Sequence, residues 1–168
     1  LRVLPPKLLS LLVSAFQSHL FNCALSSRID AGLPLFEPEV GDRLLFHDGR
    51  EDIVTARNRQ AALLHIRRGR CGIAIFIPGS EPVTPHGRMD EIMQELMRSR
   101  GIGAGDFARA SRFVETAFAG VARPIALSAG VEADVLDASV RLRFTLPPGH
   151  YATTVCREYM KADPYAMI

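Results

Sequence analysis

The hydrophobic positions near the start of the chain follow the period of one long helix. Apolar side chains recur at three- and four-residue spacing, at Leu9, Val13, Phe16, Leu20 and either Cys23 or Ala24. This spacing places them on one helical face. Pro5-Pro6 precedes the pattern, where proline is tolerated, and Gly32 followed by Pro34 ends it. The pattern therefore predicts an amphipathic helix over residues 5–31.

The middle of the chain alternates between short apolar runs and helical patterns. Asp48-Gly49 marks a turn, Thr55 is a helix-capping residue, Gly69 ends the helix that follows, and Asp106 caps a later one. The predicted elements are strands over 41–46 and 71–77 and helices over 57–68, 89–100 and 106–117.

After Gly120 the pattern changes to strands, which we predict over 123–128, 131–136 and 140–146. Along the last strand, Val140, Leu142, Phe144 and Leu146 alternate with Arg141, Arg143 and Thr145. One face is thus expected to pack on the core, while the other is basic and faces either solvent or RNA. A helix over 152–162 is predicted to end before Pro164.

Composition limits the class of protein only moderately. The chain has 168 residues, 48% of them hydrophobic, and a net charge of +2, which predicts a folded protein. Its positive charge comes from 18 Arg and only 2 Lys. This bias reflects either phosphate recognition by guanidinium groups or GC-rich coding. Three distant cysteines predict no disulfide framework and a reducing compartment.

No bilayer-spanning segment or signal peptide is expected. The apolar runs are short, and Ser10, Ser14, Gln17, Ser18 and His19 interrupt the N-terminal one. We therefore predict a cytoplasmic protein without a membrane partner.

A turn near the C-terminus presents the most distinctive side chains. Pro147-Pro148-Gly149 ends a strand, because proline lacks the ladder N–H and glycine tolerates positive φ. Tyr151, Ala152 and Thr153 follow at the start of the last helix. A base turned out of an RNA stack needs an aromatic wall and a few polar contacts, which this corner offers. The alternative is a strand-to-helix junction closed by a packed tyrosine.

Residues 143–161, RFTLPPGHYATTVCREYMK, resemble the closing motif of the TruD-type transfer-RNA pseudouridine synthases. Further segments resemble that family in order and spacing, from about residue 8 to residue 164. They are Ala15-Phe16-Gln17-Ser18-His19-Leu20-Phe21-Asn22, Gly41-Asp42, Pro78-Gly79-Ser80-Glu81, Gly101-Ile102 with Asp106-Phe107, and Arg123-Pro124.

The resemblance implies an α+β fold. Residues 1–33 and 121–168 are expected to be part of a pseudouridine synthase core, with a long helix, C-terminal strands and a helix. Residues 34–120 are expected to be a family-specific α/β domain inserted into that core.

The resemblance also implies isomerisation of uridine to pseudouridine in transfer RNA, at position thirteen of the D-arm. An aspartate starts this reaction, which needs neither cofactor nor metal. The family motif that carries this aspartate lies upstream and has no match here. No catalytic residue is therefore assigned. We expect a missing N-terminal portion of the same enzyme as partner, and an inactive chain without it. The alternative is a non-catalytic RNA-binding or assembly module.

Site residues follow from the same comparison. Gly149, Tyr151, Ala152 and Thr153 are expected to wall the uridine pocket. Arg67, Arg68 and Arg70 at a helix end, Arg123 before a strand and Arg157 on the last helix are expected to contact RNA. For these arginines, a solvated helix end or a structural ion pair is the alternative. No His or Cys spacing suits a metal, so no metal site is predicted.

Overall fold

A computed structural model describes residues 4–82, 84–114, 118–127, 129–146 and 150–161. Their contacts group into two units, residues 1–126 and 127–168. The first unit contains α1 (Pro6–Asp30), β1 (Arg43–Phe46), β2 (Glu51–Ile53), α2 (Arg59–Arg67), β3 (Cys71–Ile77), α3 (Arg88–Ser99), α4 (Ala104–Ser111) and β4 (Val121–Pro124). The second contains β5 (Val131–Leu136), β6 (Ser139–Phe144) and α5 (Ala152–Met160). Helices together with antiparallel sheets confirm the predicted α+β class.

The first unit is built on a four-stranded sheet in the order β2-β1-β3-β4. All three strand pairs are antiparallel. The apolar run Cys71–Ile77 forms the central strand β3, as its composition predicts. Helices α1, α2 and α3 pack against this strand.

Two clusters of apolar side chains make up the core of the first unit, and β3 contributes to both. Ile75 and Ile77 pack with Leu20 of α1 and Met93 of α3. Cys71 and Ile73 pack with Leu44, Val54 and Ala62 on the α2 side. The four β3 residues alternate along the strand and so share one face of the sheet. That face positions both α1 and α2.

Helix α1 carries both apolar and charged groups into this core. By length and composition it could span a membrane, with a mean hydropathy of 1.4 over an 18-residue window. A signal sequence and the core helix of a soluble protein meet the same length and hydropathy criteria. Here 17% of that window is buried, and the buried residues of the helix are Leu20, Phe21, Ala24 and Arg28. The expectation that no segment spans a bilayer stays a prediction.

A buried ion pair joins the end of α1 to the start of β1. Arg28 Nη1 and Nη2 donate to the two carboxylate oxygens of Asp42, at 2.7 and 2.8 Å. Arg28 is 0% exposed and Asp42 5%. The guanidinium also donates twice to Pro34 O, and Asp42 accepts from Glu39 N–H. The two bonds between the charged groups lie away from water, and the surrounding bonds to Pro34 and Glu39 tie the pair to the 31–42 connection.

The second unit contains a β-hairpin and a helix. β5 and β6 pair antiparallel, with Val131 opposite Phe144 and Leu136 opposite Ser139. Arg141 and Arg143 are exposed, as the alternation predicts, and Arg143 pairs with Glu132 at 3.0 Å. Val140 is also exposed, so the apolar side of β6 is only partly covered.

Several predicted element boundaries differ from those observed. Strand β2 was not predicted, because Glu51-Asp52-Ile53 is a short polar edge strand without alternation. Helix α2 begins at Arg59 rather than Arg57, because residues 55–58 form a turn in which Thr55 N–H donates to Asn58 Oδ1. Helix α4 ends at Ser111, short of the predicted 117. The other predicted helices and strands lie within a few residues of their observed bounds.

The two units defined by contacts differ from the predicted domains, because α1, residues 34–120 and β4 all belong to the first unit. These units describe packing within this chain alone. The assignment of 1–33 with 121–168 to a synthase core and of 34–120 to an insertion concerns the whole enzyme, and stays a prediction.

Candidate nucleic-acid interface

The family-like segment on α1, residues 15–22, lies beside Arg123, which is predicted to contact RNA. Arg123 Nη1 donates to Ser18 Oγ at 3.3 Å, and its guanidinium lies 5.2 Å from the centre of the Phe21 ring. Gln17 Nε2 donates to Pro78 O at 2.9 Å, which ties α1 to the loop after β3. Among the described residues Arg123 forms no ion pair with a carboxylate. Its half-buried charge is thus positioned by a hydroxyl and an aromatic ring.

The predicted basic cluster lies at the C-terminus of α2. Gly69 has φ +63°, and Gly69 N–H and Arg70 N–H donate to Ile66 O and His65 O. This pattern caps the helix with a left-handed glycine. Arg67, Arg68 and Arg70 are exposed around the cap, near the negative end of the helix dipole. Arg67 lies 3.9 Å from Glu37, whereas Arg68 and Arg70 form no ion pair within the described part of the chain.

The predicted uridine-pocket residues lie partly outside the described residues. Gly149 belongs to that undescribed part, as do Pro147 and Pro148. Tyr151 precedes the first turn of α5 and is 75% exposed, and Ala152 and Thr153 at the helix start are exposed as well. Within its unit the tyrosine is therefore not a packed junction residue. Its role as a pocket wall stays a prediction.

Helix α5 presents further charges around Arg157. Arg157 is exposed, and its carbonyl accepts the Lys161 N–H that ends the helix. A side-chain hydrogen bond from Lys161 lowers the pKa of Glu158, with a smaller contribution from Arg157. Arg157 forms no ion pair within 4 Å among the described residues, so its guanidinium is accessible to a ligand.

Other motif residues have structural roles. Gly41 has φ +93°, and an added Cβ would overlap the backbone of His86 and Gly87. Its neighbour Asp42 accepts the buried Arg28 pair. Gly79 lies so close to the backbone of residues 118–120 that a Cβ would overlap it, and Ser80 N–H donates to Phe118 O. These glycines permit close backbone approach.

The motif around residues 101–107 marks helix boundaries. Gly101, at φ +64°, ends α3, and Ile102 N–H donates to Met97 O. Asp106 accepts a hydrogen bond from Gly103 N–H at 2.9 Å, and this bond lowers the pKa of its carboxyl. Asp106 thus stabilises the start of α4 from its first turn rather than as the predicted cap. Phe107 is buried in the core.

The cavities of the first unit differ in size and setting. One of about 220 Å³ beside Pro78 and Gly79, lined by Phe76 and Met93, is smaller than the roughly 300 Å³ at which small-molecule sites begin. Two larger and more open grooves lie between the start of α1 and the end of α4, at about 860 Å³, and between α1 and α3, at about 500 Å³. Within the described ranges, no three His, Cys, Asp or Glu side chains are grouped to hold a metal.

Two features of this surface were not recognised as site residues from sequence. Ser18 belongs to the family-like segment on α1, yet only the fold brings its hydroxyl to Arg123, 105 positions later. Arg50 was also missed, although its guanidinium lies 3.8 Å from the centre of the Phe46 ring at the exposed end of β1. A lone arginine in a turn gives no sequence signal, because its neighbours come from other elements.

The comparison with known proteins agrees with these motifs. The model of the family described as tRNA pseudouridine synthase D (TruD) matches residues 1–159. A "Probable tRNA pseudouridine synthase D" of Natronomonas pharaonis is 34% identical over 162 residues, covering 92% of this chain and 36% of the relative. One of Methanosarcina mazei is 30% identical over 180 residues, covering 99% and 41%.

A solved structure shares the fold. The crystal structure of a tRNA pseudouridine synthase D (TruD) candidate from Methanosarcina mazei superposes with a TM-score of 0.79 at 30% identity. The superposition covers 98% of this chain and 40% of that one. The chain is thus an α+β protein whose fold is shared with that structure. The chain belongs to the tRNA pseudouridine synthase D (TruD) family, and it spans about two fifths of the length of the relatives it matches.

Proposed function

We propose that this chain is part of an enzyme that isomerises uridine to pseudouridine in transfer RNA. The observation that carries the proposal is the family match over residues 1–159, joined to a fold shared over nearly the whole chain. The names of the matched relatives give tRNA pseudouridine synthase as their function. Position thirteen of the D-arm is the proposed site of modification.

The described residues suit a role in holding RNA. Arg68, Arg70, Arg123 and Arg157 present guanidinium groups that no carboxylate pairs within the described part of the chain. A guanidinium binds phosphate through two parallel hydrogen bonds. Arg67, close to Glu37, is proposed as a weaker contact. Each of these arginines would bind the RNA backbone.

The uridine itself is proposed to contact the corner before α5. Tyr151 is exposed at the helix start and is followed by the small side chains of Ala152 and Thr153. Such a corner can stack a flipped base and contact its edge. Gly149, outside the described residues, completes the proposed wall. A cytoplasmic location without a membrane partner is part of the same proposal.

The nucleophilic aspartate is proposed to lie in a further N-terminal portion of the enzyme. That portion would act with this chain as its partner. Catalysis would need no metal or cofactor, because the aspartate breaks the N-glycosidic bond and the base is rejoined through carbon.

A tritium-release assay on uridine-labelled transfer RNA tests the proposal. The 168-residue chain should bind transfer RNA but release no tritium, whereas the Natronomonas pharaonis relative, assayed in parallel, should turn over. Turnover by the chain alone would place the nucleophile among its own aspartates, with Asp134 and Asp137 as the first to substitute. If a polypeptide that also carries the upstream portion binds RNA without turnover, the chain belongs to a non-catalytic RNA-binding module.

A further inference from the structure

The turn between β1 and β2 and the end of α2 form one continuous exposed surface. The antiparallel pairing of β1 with β3 places Phe46 opposite Cys71, so the next pair outward is His47 and Arg70. His47 N–H donates to Arg70 O at 3.4 Å, and His47 Nε2 lies 2.5 Å from Gly69 O. A carbonyl only accepts, so Nε2 is the donor. These two bonds hold the basic helix end against the turn.

This surface carries three arginines, and the carboxylates of Asp48 and Asp52 lie nearby. His47, Arg50, Arg68 and Arg70, which we call the basic corner, are all exposed. Among the described residues none of the three arginines forms an ion pair. The nearby carboxylate of Asp48 accepts the Arg50 N–H at 3.0 Å and is thus engaged within the turn.

Arg50 is held in place by an aromatic ring rather than by a carboxylate. Its guanidinium lies 3.8 Å from the Phe46 ring centre, within the range of a cation–π contact. The Phe46 ring in turn contacts the edge of His65 on α2, at 5.7 Å between ring centres. The cation is therefore oriented, and its N–H donors remain open. Arg50 also lies close enough to act on Cys71, the residue after Arg70. Burial raises the pKa of the Cys71 thiol, and the positive charge of Arg50 partly offsets this rise.

We infer that the basic corner binds the phosphodiester backbone of RNA, with Arg50 extending the site of Arg68 and Arg70 across two elements and His47 holding those elements together. This inference rests on the proposed function. Oriented guanidiniums without carboxylate partners match phosphate oxygens bidentately. The arginines are carried by a turn and a helix end whose backbones are hydrogen-bonded together, which reduces the ordering needed on binding. The contacts are to backbone and carry no sequence preference.

The test is the salt dependence of transfer-RNA binding by the 168-residue chain, measured by fluorescence anisotropy with an unmodified transcript. The variant is Arg50→Gln/Arg70→Gln. Its control is Arg88→Gln/Arg98→Gln, which removes the same charge from exposed α3 residues that already pair with Glu91 and Glu95. Circular dichroism checks that both variants keep the fold.

Each lost phosphate contact lowers the slope of log K against log[salt] by about 0.9 on duplex and about 0.7 on single strands. The corner variant should therefore lose roughly 1.4–1.8 of slope, while the control keeps the parental slope within about 0.5. A corner variant with the parental slope overturns the inference and leaves RNA binding by the chain intact. A parental chain with no salt-dependent binding overturns both the inference and the proposed RNA-holding role.

Discussion

The buried Arg28–Asp42 pair gives the sharpest stability prediction. Replacing Arg28 by Met keeps a long side chain in place but removes the bonds to Asp42 and Pro34 O. Asp42 then remains buried with only the Glu39 N–H donor. Breaking a buried pair from one side costs about 3–5 kcal/mol, because an uncompensated charge is left behind. Domains are stable by about 5–15 kcal/mol, so the loss is a large fraction of the total.

The chain contains a matched control for this substitution. Arg59 also donates to a loop carbonyl, Pro38 O at 2.8 Å, and to a carboxylate, Glu39 at 2.9 Å. The difference is burial, since the Arg59 and Glu39 side chains are 45% and 42% exposed. Exposed pairs contribute about 0–1 kcal/mol. Arg59→Met should therefore cost less than about 1 kcal/mol.

Urea denaturation followed by circular dichroism at 222 nm measures both costs. We expect Arg28→Met to lower the free energy of unfolding by about 3–5 kcal/mol, or the melting temperature by roughly 6–20 °C. Adding Asp42→Asn should restore part of the loss, because it removes the orphaned charge. Equal costs for Arg28→Met and Arg59→Met, or a double variant less stable than Arg28→Met alone, would refute the reasoning.

Three further predictions concern the proposed pocket, a motif glycine and a helix start. Tyr151→Ala in the full-length enzyme should cut turnover about tenfold or more, since a lost base–aromatic contact costs roughly 1–3 kcal/mol. The melting temperature should change little because the ring is exposed, whereas normal turnover with a large fall in melting temperature would place the ring in the core. Gly79→Ala should lower the melting temperature far more than Gly72→Ala, since only the former Cβ overlaps backbone; equal shifts in calorimetry would count against the close approach. The Gly103 N–H bond lowers the folded-state pKa of Asp106, so its contribution to stability is present above the unfolded-state pKa and is lost as pH falls through the folded-state pKa. NMR titration of Asp106 should give a midpoint below the 3.8 of an unperturbed aspartate, and a midpoint above 3.8 would contradict the bond.

The spacing of apolar residues was sufficient to predict the long helix α1 and the central strand β3. The apolar spacing of Pro6–Asp30 and the run Cys71–Ile77 depend on local sequence, and the structure places both within a residue or so of their predicted bounds. Glu51–Ile53 was missed because an edge strand depends on its partner rather than on its own pattern. The burial of Arg28 was also hidden, since an arginine in a last helical turn is usually exposed and Asp42 lies 14 residues away.

The candidate site residues also differ in how far the sequence alone predicts them. The arginines at 67, 68 and 70 form a local cluster that the sequence displays directly. The neighbours of Arg123 and Arg70 come from α1 and from the β1–β2 turn, and only strand pairing brings them together. Motif matches were informative about family but not about role, because several of the matched residues prove to be close-packed glycines, helix ends or core positions.

The most direct test of the central claim is pseudouridine mapping of transfer RNA from cells with and without the gene for this protein. Carbodiimide modification followed by primer extension reports each pseudouridine as a stop. We predict that the stop at position thirteen of the D-arm disappears when the gene is deleted and returns when the gene is restored. An unchanged stop pattern across all transfer RNAs would contradict the proposed activity.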